Sequence, residues 1–274
     1  MAAAASTKTP RAYALSSAPT ELSASIVPVD AQVQRQETPL PTGHSVYLLV
    51  GKRGSGKSTL ALNLLKRKTS PYHKHFDNVY LISPTANRDP KFDSLIEELT
   101  EDGKYYDTLT EPIIEDIIAQ LQAFNDEYKE THKGEPHNLL ILDDCIHLLP
   151  TSTQKSAVNQ IFTNGRHLKL SVWVMSQQLT KINRLARTNA DLLTYFPNDS
   201  AAEMRTLESE WAIEPKLLKS VYEYAVSQPN SWLHISFAGR APRFYRKFDE
   251  IKVATVGILP TPRVVGQSPT VATD

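Results

Sequence analysis

Apolar residues in the middle of the chain come in short unbroken runs and do not alternate with polar ones. Residues 46–50 (VYLLV), 78–82 (NVYLI), 138–142 (NLLIL), 171–175 (SVWVM), 191–196 (DLLTYF) and 232–237 (WLHISF) each have the length of a strand. A strand without alternation is one covered on both faces, as in a parallel sheet between helices. Helical periodicity fills the intervals, at about 57–68, 90–99, 112–128 and 152–168 and again from Ser200, where Ser200-Ala-Ala-Glu203 matches a capping box. Six strands separated by helices predict an α/β domain with a mostly parallel central sheet.

The two ends of the chain lack this pattern. Residues 1–43 are rich in Ala, Ser, Thr and Pro and are expected to be a disordered tail. Their first twenty carry Lys8 and Arg11 and no acid, which also suits an organelle transit peptide. A second loose tail is expected over 259–274, which leaves 44–258 as a single domain. The 30 basic and 30 acidic residues of the 274 cancel, so any surface for a polyanion must be local. Lys52 and Arg53, Lys66-Arg67-Lys68, and Arg240, Arg243, Arg246 and Lys247 are local clusters of that kind, or simply solvated faces. The lone cysteine, Cys145, excludes an internal disulfide, fits a reducing compartment and has no partners at zinc spacing. No apolar run approaches the roughly 18 residues of a membrane span, so no direct membrane insertion is expected.

Candidate chemistry begins directly after the first strand. Gly51-Lys-Arg-Gly-Ser-Gly-Lys-Ser fits G-x-x-x-x-G-K-[ST], with a strand before and a helix after. Such a loop turns backbone N–H groups and a helix N-terminus toward a polyphosphate. Gly51, Gly54, Ser55 and Gly56 would shape the cradle, Lys57 would reach the β- and γ-phosphates, Ser58 would ligate Mg²⁺ and Thr59 would stand near the α-phosphate. The strand at 138–142 stops on Asp143 and Asp144. Two acids there either cap a surface loop or, set against this lysine, divide their work, Asp143 for magnesium and Asp144 for the attacking water. The strand at 171–175 ends on Ser-Gln-Gln, an ordinary turn or a place where Gln177 meets the γ-phosphate.

These segments together resemble a known family. VGKRGSGKST, LILDD, GRHLKLSVWVMSQQ and RTNADLLTYF look like the virion DNA-packaging ATPases of poxviruses and other nucleocytoplasmic large DNA viruses, virophages and polinton-like elements, within the FtsK–HerA superfamily of P-loop NTPases. The likeness spans about 44–250 and gives the N-terminal tail no role. It implies a three-layer ASCE/RecA-like domain in which the Ser171 strand lies between the P-loop strand and the Asp143 strand, with Gln177 as sensor. It also implies ATP and Mg²⁺, double-stranded DNA bound without sequence preference, and a homo-oligomeric ring, a hexamer by analogy. Each nucleotide would be completed by a neighbour's arginine, for which Arg166 is preferred and Arg187 is the alternative. Capsid or portal-vertex proteins are further implied partners, and the setting is the interior of a host cell, its virus factory or nucleus, or the virion.

The expected function is therefore an ATP-hydrolysing motor that moves viral DNA into a capsid. A cellular or plasmid pump or helicase of the same superfamily, a small-molecule P-loop kinase and a nucleotide-switched scaffold are the competing readings. The adjacent acids and the lack of an arginine-rich lid weigh against the kinase.

Overall fold

In the computed structural model, residues 38–145, 156–198, 200–239 and 241–253 are described. Residues 1–37 of the tail expected over 1–43, the tail expected over 259–274, the start of the helix expected at 152, and Arg240 lie outside them.

The six apolar runs all become strands: β1 (Val46–Val50), β2 (Asn78–Ile82), β4 (Asn138–Asp143), β5 (Leu170–Ser176), β6 (Leu192–Tyr195) and β7 (Leu233–Ser236). Three short strands join them, β3 (Tyr105–Tyr106), β8 (Arg243–Arg246) and β9 (Asp249–Glu250), in one sheet of order β3-β2-β4-β5-β1-β6-β7-β8-β9. Strands β1 to β6 are parallel, and β5 lies between β1 and β4 as the resemblance implied. The sixth expected strand, β7, runs antiparallel to β6. Two helices, α6 (Ala201–Glu210) and α7 (Pro215–Ala225), separate β6 from β7, so the chain returns to the sheet at the end from which it left.

Unbroken hydrophobicity is explained by two cores, one on each face. Val46, Leu48 and Val50 of β1 point into a core with α3 (Glu111–Thr131), α4 (Ala157–Thr163), α6 and α7, while Tyr47 and Leu49 point into another with α1 (Lys57–Lys66) and α2 (Asp93–Glu101). Helix α1 stops at Lys66 because Arg67 is extended, two residues short of the expected end. Helix α3 runs one residue further N-terminally and three further C-terminally than expected.

The capping box at Ser200 is only half made. Ser200 Oγ accepts from the Glu203 amide at 3.4 Å, but the Ser200 amide donates to Asn198 Oδ1 at 3.1 Å. The buried Glu203 carboxylate therefore turns to the segment after β5, accepting from the Leu179 amide at 2.5 Å, the Thr180 amide at 3.3 Å and Thr180 Oγ1 at 2.8 Å. Tertiary demand overrides the local motif because a buried carboxylate needs several donors.

Where β2, β4 and β5 begin, polar side chains form a closed network. Asn138, fully buried, accepts from Asn78 Nδ2 at 2.9 Å and donates to Asn125 Oδ1 at 3.0 Å and the Lys169 carbonyl at 3.2 Å. Asn125 in turn donates to the Leu168 carbonyl at 2.9 Å. Removing the hub strands its partners in an apolar setting. Asn138→Ala is expected to lower unfolding free energy by about 2–4 kcal/mol in a urea titration, with nucleotide affinity unchanged at the opposite edge of the sheet.

Candidate nucleotide and catalytic site

The C-terminal ends of β1, β5 and β4 stand side by side, with Val50 opposite Ser176 and Asp143 opposite Met175. In an open parallel sheet this is the edge where ligands bind. A cleft of about 500 Å³ opens there, lined among others by Arg53, Gly54, Ser55, Gly56, Lys57, Ser58 and Thr59, by Asp143 and Asp144, and by Gln177.

Gly51 lies beneath the phosphate loop and does not line the cleft. A Cβ on it would come within 2.6 Å of both Phe196 Cβ and Ser55 Oγ, so only glycine lets the loop close over β6. Gly56 has φ 105° immediately before α1, which turns the chain into the helix with its first N–H groups facing the cleft. Ser55 Oγ is buried with no protein partner among the described residues, as suits a group whose partner is a ligand.

The charges of the cleft are held close together. Lys57, buried, donates to the Gly51 carbonyl at 2.7 Å and to the Lys52 carbonyl at 3.3 Å, folded back along the loop. Burial pushes its ammonium below the ordinary value, while Asp144 and Asp143 act the other way. Asp143, also buried, has its carboxyl pushed up to about 6, chiefly by burial; the Ser83 hydroxyl opposes this, Asp144 adds to it and Lys57 opposes it. Ser83 Oγ donates to Asp143 Oδ2 at 2.9 Å. Sequence reasoning missed Ser83, although as the residue after β2, which pairs in register with β4, it is brought opposite Asp143.

Asp144 leaves the strand with φ 50°, its amide still bonded to the Met175 carbonyl at 2.9 Å. This left-handed step turns the second carboxylate out of the strand, where Gln177 Nε2 donates to Asp144 Oδ2 at 2.7 Å. The two acids thus face different partners. Glu203, read from sequence only as a capping residue, anchors the turn after Gln177.

The arginines are elsewhere. Arg166 is exposed before the start of β5 and lines a separate cleft of about 450 Å³ with His44 and Asp191. The length of β5, about 20 Å at 3.3 Å per residue, separates it from the phosphate loop of its own chain. Arg187, the alternative candidate for a neighbour's site, is engaged within its own chain. Its Nε and Nη2 donate to Glu210 Oε2 at 3.2 and 3.0 Å and its Nη1 donates to the Ile182 carbonyl, with both side chains of the ion pair mostly buried. The guanidinium is committed to joining α5 (Arg184–Thr188) to α6. Cys145 is fully buried, its Sγ 3.6 Å from the Ile82 carbonyl, as a small core residue.

Residues 44–225 match the model of the poxvirus A32 protein family. The chain belongs to that family. Within its described residues the A32 match covers the phosphate loop, both acids and Gln177. Among similar proteins, the uncharacterized protein 075L of Invertebrate iridescent virus 6 is 28% identical over 69% of this chain and 69% of its own length. The uncharacterized protein L437 of Acanthamoeba polyphaga mimivirus is 25% identical over 60% of this chain, and the match spans 56% of that protein. The fold is shared with B204 of Sulfolobus turreted icosahedral virus 2, a genome packaging NTPase solved in complex with ATPγS, at TM-score 0.51 and 17% identity over 75% of this chain and 98% of that one. B204 of Sulfolobus turreted icosahedral virus, a DNA-packaging ATPase, gives TM-score 0.53 and 15% identity over 74% and 98%. This A32-family chain therefore has the α/β architecture of a P-loop packaging ATPase, with a mostly parallel mixed sheet.

Two outcomes follow for this A32-family fold. Because the folded Asp143 holds its proton more tightly than an unfolded carboxyl, its contribution to stability falls as pH rises from 3.8 to about 6. Asp143→Asn should therefore raise the melting temperature of the nucleotide-free protein at pH 8 by about 2–6 °C, and scanning calorimetry at pH 8 against pH 4 checks it. Arg187→Ala leaves the mostly buried Glu210 with only the exposed Arg184, 3.7 Å away, and should cost about 1–3 kcal/mol in a denaturant titration.

Proposed function

We propose that the chain is an ATP-hydrolysing motor that translocates double-stranded viral DNA into a capsid during virion assembly. The observation that carries the reading is the convergence, in one cleft, of the phosphate loop with Lys57 and Ser58, the divided pair Asp143 and Asp144, and Gln177. Membership of the A32 family and the fold shared with B204 support it.

In this reading the loop amides and Lys57 hold the β- and γ-phosphates, and Thr59 stands near the α-phosphate. Asp143 and Ser58 offer carboxylate and hydroxyl oxygens, the donor set that suits a hard divalent cation, and they would hold Mg²⁺. An ion held there would supply positive charge against the negative charge of the phosphates. Asp144 orients a water and takes its proton as the water oxygen bonds to the γ-phosphorus and the bond to the bridging oxygen breaks. Gln177, already donating to Asp144, fixes that carboxylate and exchanges its hydrogen bond toward the γ-phosphate when a triphosphate is bound.

Arg166 would stabilise charge on the transferring phosphoryl group of the next subunit in a homo-oligomeric ring, which we take to be a hexamer; such a group is worth about 10³–10⁵ in rate. Its place across the sheet from its own phosphate loop is what a contribution in trans requires. The basic clusters would contact DNA phosphates without reading sequence. Capsid or portal-vertex proteins at an assembly site in the host cell are the further partners of this reading. Among the described residues no helix is long and apolar enough to cross a membrane.

ATPase rate measured with and without long duplex DNA, together with the mass of the assembly, tests the proposal. Duplex DNA should stimulate turnover by a multimer, whereas DNA-independent phosphate transfer to a small acceptor by a monomer would overturn it. Lys57→Ala should abolish productive ATP binding. Asp144→Asn should keep binding and lose at least about 10² in turnover; near-normal turnover would remove Asp144 from its role.

A further inference from the structure

The wall of the cleft facing the phosphate loop is built by residues 83–92, which no sequence motif singled out. Ser83, fully buried, organises it. Its amide donates to the Tyr106 carbonyl at 3.0 Å and its carbonyl accepts from Tyr105 Oη at 3.3 Å. Its hydroxyl donates to Asp143 and accepts from the Thr85 and Ala86 amides at 3.3 and 3.0 Å. Those amides open a 3-10 turn over Ala86–Arg88, pinned by buried Ala86 and Phe92. One hydroxyl therefore ties the Asp143 carboxylate to the backbone that presents Arg88.

Arg88, Asp89 and Lys91 all reach the cleft from this turn. Lys91 is engaged with Asp89 at 3.9 Å, and Lys57 with the loop carbonyls. The exposed Arg88 guanidinium has no hydrogen-bond or ion-pair partner among the described residues. Arg53, the remaining cation of the lining, is carried by the phosphate loop itself. The turn that carries Arg88 is tied through the Ser83 hydroxyl to Asp143, the acid that would hold the cation of a bound nucleotide. A guanidinium fork matches the oxygens of a terminal phosphate.

We propose that Arg88 contacts the γ-phosphate in cis and is the residue by which this chain distinguishes a nucleoside triphosphate from a diphosphate, with Ser83 as its positioning residue. The inference rests on the nucleotide site proposed above. It makes the release of the Arg88 contact, and through Ser83 a change at Asp143, part of the passage from the triphosphate to the diphosphate state. This contact comes from the same subunit as the phosphate loop, and so is separate from any arginine supplied by a neighbour.

Calorimetric titration of the full chain with ATPγS and with ADP, each with Mg²⁺, tests it. Arg88→Ala should weaken ATPγS by about 10- to 100-fold and ADP by less than about threefold. Arg88→Lys should recover part of the difference, since it restores charge without the fork. Ser83→Ala should shift the ATPγS-to-ADP ratio in the same direction, and Ser83→Thr, which keeps the hydroxyl, should not. An unchanged ratio in Arg88→Ala, whether both ligands weaken equally or neither does, overturns the inference. Lys57→Ala separates the two levels: if it still binds both nucleotides, the nucleotide reading itself has failed, whereas if it loses both and Arg88→Ala leaves the ratio unchanged, only the role of Arg88 falls.

Discussion

Lys57 and Asp143 share one buried corner at the end of a parallel sheet, and the rest of the cleft is arranged around keeping that corner tolerable. An ammonium and a carboxylate taken out of water each lose several kcal/mol of hydration. The lysine recovers part of this from the Gly51 carbonyl and the aspartate from the Ser83 hydroxyl. Both remain displaced from their ordinary titration ranges, the lysine downward and the aspartate upward, chiefly through burial. A corner strained in this way gains most from a ligand that brings its own balanced charges, such as a polyphosphate with a divalent cation.

The second aspartate shows how a single backbone step divides two like charges. Were β4 to continue regularly, Asp144 would point to the opposite face of the sheet, into an apolar core. The left-handed φ at Asp144 turns it out beside Gln177, at a backbone cost of about 1–2 kcal/mol. Glu203 stabilises the turn that carries Gln177 from the far side, so a carboxylate on α6 bears indirectly on the geometry of a carboxylate on β4. Mechanical linkage in such a domain is a matter of shared acceptors, because a buried carboxylate that loses one donor must find another.

Arg166 and Arg187 illustrate the same accounting with the opposite result. Each sits in a stretch that resembles the packaging ATPases, yet one guanidinium is exposed at the far edge of the sheet and the other is enclosed by Glu210 and the Ile182 carbonyl. The resemblance ranks Arg166 ahead of Arg187 but does not foresee their different surroundings. The difference arises because α6 packs Glu210 against α5, a contact of 23 residues in sequence separation.

By itself the sequence determined the strands, the class of fold and the phosphate loop, since each depends on local facts: unbroken apolar runs long enough to bury both faces, and glycines spaced for a loop between a strand and a helix. It also marked Asp143, Asp144 and Gln177 as candidates, because polar residues that end buried strands stand out against their surroundings. Only the tertiary structure decided that β7 runs backward, that the Glu203 carboxylate leaves its capping box, that Arg187 pairs with Glu210, and that Arg88 lines the cleft with Ser83 buried behind it. Those outcomes depend on which buried donors meet which acceptors across long sequence separations, and a hydrogen bond between distant segments leaves no periodicity in either of them.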